Sequence, residues 1–470
     1  MKHTETQESK TQRLTTSPIK PLIIKLAIPS IVSMLISTFY NMADTFFVGQ
    51  MQNTSATGAV GVILPVMTLI QAFGYFFGHG SGNFISRKLG EGDAESAKKM
   101  ASTGFFYSIG FSLVLMAIGL IFMKPLVNVL GATPTIRPYA EEYMRVILFG
   151  APVMTGAIVM NNQMRFQGNA YYSMFGISAG GILNIALDPL FIFTFRMGVT
   201  GAAAATVVSQ AVSFIILFVA LEKSDCIKLR PKNVTFSRRY ALSIVKGGVP
   251  SLCRQGITSV ATICFNAVAG IYGNDAAIAA VSIVSKITSF ASAALIGFGQ
   301  GFQPVCGYSY GAKKYRRVYD SFWFCVKVCF AFLLALSVAT FFAAPWLIKQ
   351  FQKNDPEVIR IGTLMLRAQL ISFSFMSHVI ISNMMLQTIG KSLRASLLAL
   401  SRQGYILIPV LYGAAALFGL GGLIWAQTVA DFISLAVSFA VTYKVLGGFK
   451  KDTDFTLIKN KPKRRQEDVT

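Results

Sequence analysis

Twelve apolar runs, each long enough to cross a hydrocarbon core as a helix, dictate what this chain can fold into. A helical crossing needs about 20 mostly apolar residues. The runs fall at approximately 22–49, 57–83, 102–123, 140–162, 172–195, 201–221, 241–271, 277–303, 321–343, 361–386, 395–416 and 421–443. The first, seventh and eighth are long enough to imply tilt or bending. Backbone groups in lipid must be satisfied within their own segment, so the pattern predicts an all-α polytopic membrane protein with 12 transmembrane helices. The composition agrees: of 470 residues, 53% are hydrophobic and only 13% charged.

The net charge of +23 does not point to nucleic acid, because the basic residues sit in short clusters between apolar runs and no basic domain stands apart. About 31 of the 43 Lys and Arg fall on one side if the N-terminus is cytoplasmic. They include Lys10, Arg87, Lys88, Arg165, the linker from Lys223 to Lys246, Lys313 to Arg317, and the tail from Lys444 to Arg465. About six, among them Lys124, Arg196 and Lys353, fall on the other. The positive-inside rule then places both termini in the cytoplasm. Residues 1–20 lack an apolar core with a cleavage site and read as a cytoplasmic tail. The six cysteines, Cys325 and Cys329 included, have no metal-ligand spacing and read as packing residues.

The chain repeats itself. Residues 21–221 form one six-span lobe and 241–445 a second, joined by a linker at 222–240 and followed by a basic tail at 446–470. Gly78, Gly80 and Gly82 match Gly297, Gly299 and Gly301 at an offset of 219, and Gly92 matches Gly311. Pro29 matches Pro250, Gly49 matches Gly270, and Gly198 with Gly201 matches Gly419 with Gly422 at 221; Pro189 matches Pro409 at 220. Each half holds an even number of spans, so the repeats run parallel and relate by an axis along the membrane normal, with substrate expected between them. The Gly78–Gly82 stretch follows a helix and lacks a Walker lysine, so it reads as close helix packing or a flexible helix end rather than a phosphate loop. His79 and His378 are lone imidazoles for which a polar partner is expected. No Ser/His/Asp or Cys/His arrangement can be assembled and no ATP-binding domain is present, so an enzyme is not expected and an ion gradient is the expected drive.

Charges inside the spans carry the chemistry. An ionisable side chain at that depth costs about 2.5–3.5 kcal/mol on insertion scales and is seldom kept without a partner, a wet cavity or a task. Asn184 and Asp188 lie one turn apart on one helix face, just before the helix-bending Pro189. Tyr40 and Asp44 repeat the arrangement in the first span, and Thr206 sits in a run of small residues that lets helices approach. These five could make one oxygen-rich site in the first lobe, or each acid could simply bond a neighbouring helix. The second lobe has Phe265 and Ile408 at the positions matching Asp44 and Asp188. Its own intramembrane groups include Arg254, Gln255, Lys286, Arg402 and Asp431; Lys286 and Arg402 either face the central cavity or pair with Asp431 or helix-end carbonyls.

Together the twelve spans, the repeat, the Pro29 to Asp44 region, Asn184-Ile185-Ala186-Leu187-Asp188-Pro189-Leu190-Phe191-Ile192 and Gly198 to Thr206 resemble the multidrug and toxic compound extrusion (MATE) family across about residues 20–445. The resemblance implies two pseudo-symmetric lobes forming a V-shaped cavity, in the cytoplasmic membrane of a bacterium. It also implies secondary active export of small cationic, amphipathic drugs in exchange for H+ or Na+, with no cofactor and a monomer sufficing. It carries the cation site onto Tyr40, Asp44, Asn184, Asp188 and Thr206, with Na+ able to take Asp44, Asn184, Asp188 and Thr206. The second lobe lacks the acids some members use there. Cavity walls rich in aromatics and Met would suit promiscuous apolar cations. A lipid or lipid-linked oligosaccharide flippase is the alternative, which would use Arg254, Lys286 and Arg402 on a pyrophosphate. A passive channel is a third reading. The residues suit H+ and Na+ equally.

Overall fold

A computed structural model describes residues 7–51, 53–352 and 355–459. The described residues are almost all helical. In order come α1 (Gln7–Thr16), α2 (Ile19–Gly49), α3 (Thr54–Gly90), α4 (Ala94–Ile121), the short α5 (Met123–Val129), α6 (Arg137–Phe166), α7 (Ala170–Pro189) and α8 (Gly198–Lys223). The second half holds α9 (Arg238–Tyr272), α10 (Asp275–Gly311), α11 (Tyr315–Phe351), α12 (Pro356–Phe373), α13 (Met376–Thr388), α14 (Ser392–Leu400), α15 (Leu407–Phe418) and α16 (Leu420–Lys459). Among the described residues, ten spans are long and apolar enough to cross a membrane. The pair α12 and α13, bent by 56° at Ser374 and Phe375, makes an eleventh. The twelfth predicted crossing is α9, which is 35 residues long but more polar, carrying Lys246 and Arg254.

Short polar caps start several of these helices. Asn53 accepts from Ala56 N, Asp93 from Ser96 N, Asn274 from Ala276 N and Ala277 N, and Asp355 from Glu357 N and Val358 N. Each satisfies a backbone N–H that the first helical turn leaves without a partner. Asn53 and Asn274 stand 221 positions apart and open two helices of 37 residues each. That spacing corrects the glycine register. The structural equivalents are Gly78 with Gly299, Gly80 with Gly301 and Gly90 with Gly311, all at 221, and the turn at Gly92 corresponds to Lys313, both with positive φ. The 219 match slides by two along a stretch, 78–82 and 297–301, in which every second residue is glycine.

The corrected register shows what the glycines do. A Cβ on Gly78 would meet Asn162 and one on Gly299 would meet Met384, each within its own lobe. A Cβ on Gly80 would strike the Ile244 carbonyl and one on Gly301 the Ala27 backbone, each across to the other lobe. Gly90 lies on the Tyr308 carbonyl and Gly311 on the Arg87 carbonyl, so α3 and α10 cross backbone to backbone. The glycines are thus a packing device, one of the two readings open from sequence.

Three buried apolar clusters define the shape. One, including Leu26, Phe84, Phe302 and Val305, draws on both lobes at the end that carries the clustered basic residues. The other two are confined to a single lobe: Ile63, Tyr143 and Ile192 in the first, Val268, Ile361 and Leu411 in the second. The lobes therefore share a core at the basic end and part from each other towards the other end, a V. Exposed Phe, Leu and Ile side chains such as Phe149, Ile215, Phe342 and Leu417 cover the outside, as a lipid-facing surface requires.

Within the segments expected as tails, the described residues are helical and in part packed on the lobes. α1 is docked, with Leu14 fully buried against Gly168 of the first lobe. Lys314 Nζ donates to Thr15 O at 3.0 Å and Arg317 Nη2 to Ser17 O at 2.6 Å, both from the second lobe. At the other terminus α16 continues past residue 445, where the Phe449 ring stacks on Tyr315 at 5.5 Å. The basic stretch Lys459 to Arg465 lies outside the described residues beyond Lys459, as do Lys2 and Lys353.

A candidate ion and substrate site

The first-lobe site is built where α2 and α7 touch. A Cβ on Gly181 would fall 3.0 Å from Cδ1 of Tyr40 and 2.8 Å from Cγ2 of Ile36, so the Tyr40 ring lies against bare α7 backbone. One turn further along the two helices come Asp44 and Asn184, and a second turn of α7 brings Asp188. Asn184 is 2% exposed and Asp188 fully buried, and Asn184 Nδ2 donates to Asp188 Oδ1 at 3.3 Å. Asp44 follows Tyr40 by one turn on α2, the helix packed against α7.

Three oxygens in this group have no partner among the described residues: Asp44 Oδ1, Asn184 Oδ1 and Asp188 Oδ2. A buried acceptor left unsatisfied costs about 1–3 kcal/mol, more when charged, so the group is matched to a proton or an oxygen-seeking cation. No cluster of three or more His, Cys, Asp or Glu with metal-holding geometry occurs among the described residues. A sodium ion here would therefore rest on amide and hydroxyl oxygens as well as the two acids.

α8 closes the far side. Gly201 at its start abuts the Phe191 carbonyl, and further along Ser209 O and Ser213 abut Gly180 of α7. Thr206 lies between these crossings, level with the Asn184 to Asp188 turn, although its hydroxyl donates to Ala202 O at 3.1 Å within its own helix. Pro189 ends α7, and the chain widens into a π-helical turn at Leu190–Thr194. Without an N–H, Pro189 cannot bond the carbonyl four residues back, and the looser turn absorbs the mismatch. The second lobe has its π-helical turn at Ser401–Tyr405, ahead of Pro409 rather than after it, with Gly404 outside the helical region.

Tyr40 also opens onto the cleft between the lobes, which holds two chambers sharing Met34, Thr38 and Gln255. The smaller, about 210 Å³, is walled by amides and phenols: Asn41, Gln71, Tyr75, Asn161, Gln210 and Gln300 beside Tyr40. The larger, about 430 Å³, is bordered by Arg254, Gln369, Asn383, Arg402 and Gln427. Met34, Met154, Met365, Tyr40, Tyr75 and Phe265 also line these chambers, so the aromatic and Met side chains expected there are joined by amides that were not. The amides could have been picked out beforehand, since Gln71, Gln210 and Gln300 each interrupt an apolar run that has no structural use for an amide.

The remaining expectations divide. Gln255 lines both chambers. Arg402 lines the larger and also pairs with Asp431, Nε to Oδ1 at 3.1 Å, so both of its readings hold. Asp431 accepts further bonds from Ser372 at 3.0 Å and Gln427 at 2.7 Å. Lys286 is exposed and forms no ion pair among the described residues, so its pairing with Asp431 is not found. His378 meets Ser438 at 2.9 Å and His79 meets Ser251 at 3.0 Å, polar partners as expected. Arg165, counted from sequence with the cytoplasmic cations, is instead 3% exposed, with Nη2 donating to Asn162 Oδ1 at 2.7 Å and 3.3 Å from His79 Nε2.

Comparison with known proteins matches this architecture. The chain is 27% identical over 432 residues to the multidrug export protein MepA of Staphylococcus haemolyticus, covering 91% of this chain and 94% of that protein. It is 27% identical over 440 residues to MepA of Staphylococcus aureus, covering 93% and 96%. Among solved structures, a MATE transporter in its straight conformation superposes with a TM-score of 0.89 at 26% identity, covering 94% of this chain and 99% of that one. An outward-facing multidrug resistance MATE transporter of the MOP superfamily superposes at 0.87 with 26% identity, covering 94% and 98%. The MatE family model matches twice, over residues 29–190 and 250–412, with starts separated by the 221 residues that relate the two lobes. By sequence, by repeat register and by fold, this chain is a membrane-embedded member of the MatE family.

Proposed function

We propose that this protein exports amphipathic, drug-like molecules bearing a cationic centre across the cytoplasmic membrane, by antiport with H+ or Na+ and alternating access. The basic end faces the cytoplasm. The observation that carries the coupling is the group of partnerless buried oxygens on Asp44, Asn184 and Asp188. A proton or sodium ion entering from the open end of the V satisfies them and removes the charge on which a cationic substrate would rely. The Pro189 turn, sharing a helix with Asp188, is the element that responds. Export by the staphylococcal relatives supports the direction of transport.

The test is ethidium efflux from proteoliposomes under proton and sodium gradients imposed separately, for the wild type, Asp44→Asn, Asp188→Asn and the double variant. Each single variant should lose most gradient-driven efflux, and whichever gradient drives the wild type names the ion. Gradient-driven efflux surviving in the double variant would place coupling elsewhere.

A further inference from the structure

The cleft carries a feature that cation export does not use. Arg165 of α6 lines the smaller chamber and Arg254 of α9 the larger, and His79 links them: its Nε2 is 3.3 Å from Arg165 Nη2 and its Nδ1 is 3.0 Å from the Ser251 hydroxyl, one turn before Arg254 on α9. Neither has a carboxylate partner among the described residues. Arg165 has Asn162 and His79, while its Nε has no partner at all. Among the described residues Arg254 has only Asn383 Oδ1, at 3.4 Å. Among the residues lining the two chambers there is no Asp or Glu, and Arg402 is already compensated by Asp431.

Two guanidiniums held in a low-dielectric interior without counter-charge repel each other and are costly to keep. A structural role would be filled at lower cost by neutral side chains, and the neighbouring positions are in fact filled by amides. A planar guanidinium presents paired N–H donors that match the two oxygens of a carboxylate or phosphate. Gln255, shared by both chambers, lies next to Arg254 in the chain and adds a neutral donor.

We infer that the cleft holds an oxyanion-recognition site formed by Arg165 and Arg254, which binds the acidic group of an exported molecule where it carries one. This rests on the export reading and gives substrates that bear an acidic group a second anchor. The acid group meets the arginines, and the cationic, aromatic part extends along Tyr40 and Tyr75 towards the first-lobe acids. The same chemistry would hold the pyrophosphate of a lipid, so the test separates the two sources.

Purified protein in phosphatidylcholine nanodiscs is titrated by fluorescence anisotropy with rhodamine 110, which has a free carboxylate, and with rhodamine 123, its methyl ester. Farnesyl pyrophosphate serves as the lipid pyrophosphate, read by displacement of rhodamine 123. The wild type should prefer the free acid, and Arg254→Gln should weaken it by about tenfold, the size expected for one charge-assisted contact. Ester binding should stay within about twofold under the same principle, which also shows that the variant is folded. Arg254→Lys should restore part of the preference, a response that loss of packing would not give.

Arg254-dependent binding confined to farnesyl pyrophosphate would keep the oxyanion site and assign it to lipid. Equal affinity for acid and ester in the wild type, with no Arg254-dependent pyrophosphate binding, would overturn the inference. Ethidium efflux is measured separately, so that result leaves the export reading standing, whereas loss of efflux without a change here would strike the export reading alone.

Discussion

Adding one methyl group at Gly301 should push the lobes apart at the basic end. The Cβ of Gly301→Ala would sit 2.5 Å from Ala27 N and 2.8 Å from Ala27 Cβ. Ordinary contacts lie at about 3.5 Å, so α10 and α2 must separate by about 1 Å at that point. The obstacle is main chain, which cannot swing away as a side-chain tip can. Overpacking of this kind costs about 1–3 kcal/mol. The cost falls only on the arrangement closed at the basic end, so the balance between the two access states shifts by about 5- to 150-fold.

The shift can be read by electron–electron resonance between spin labels at Val129 and Leu417. These residues, 85% and 78% exposed, lie at the far ends of the two lobes. The label background replaces the partly exposed Cys253 and Cys264. Gly301→Ala should move population towards shorter distances as the open end closes. Gly110→Ala, whose Cβ meets nothing within 4 Å, should leave the distribution unchanged. An unchanged distribution in Gly301→Ala, or an equal shift in Gly110→Ala, would refute the reasoning.

Three further outcomes are expected. Asp431→Ala strands the Arg402 guanidinium and two other donors, and should lower stability in thermal unfolding by about 3–5 kcal/mol. Leu14→Ala empties a fully buried site between α1 and Gly168, and should cost about 2–5 kcal/mol or release α1 to proteolysis, whereas an inert tail would show neither. At Asp93 the Ser96 backbone N–H, and then the Ser96 side chain and Lys88, hold the carboxyl below its usual 3.8. Its contribution is therefore full above pH 3.8 and lost as the pH falls through the lowered folded value. Asp93→Ala should accordingly cost about 0.5–2 kcal/mol at neutral pH, with the gap to wild type closing in acid.

What could be read from sequence was what local spacing determines. Asn184 and Asp188, four apart, do bond, and the break at Pro189 falls where proline places it, because both depend on one turn of one helix. Twelve crossings and two lobes followed from long apolar runs and an internal repeat. What escaped depends on partners distant in sequence. Arg165 stands beside a helix end and reads as a loop cation until His79, 86 positions earlier, is folded against it. Leu14 lies in a polar N-terminal stretch, and nothing nearby shows that Gly168 leaves a seat for it. The bend after Phe373 has no proline to announce it. The glycine register is ambiguous in sequence because a ridge of alternate glycines matches its copy almost equally well when shifted by two.

The crossing of α3 and α10 also bears on leakage. A transporter that trades one solute for another loses efficiency whenever the driving ion slips through alone, and a seal made of side chains offers gaps in which water can line up. Here Gly90 lies on the Tyr308 carbonyl and Gly311 on the Arg87 carbonyl, with no side chain between. Two main chains in contact leave no room for a file of water molecules at that crossing. Such a seal cannot open a little at a time: it is either shut along the whole crossing or parted by movement of entire helices. The absence of side chains at two glycines thereby makes closure at this crossing a matter of moving a whole lobe.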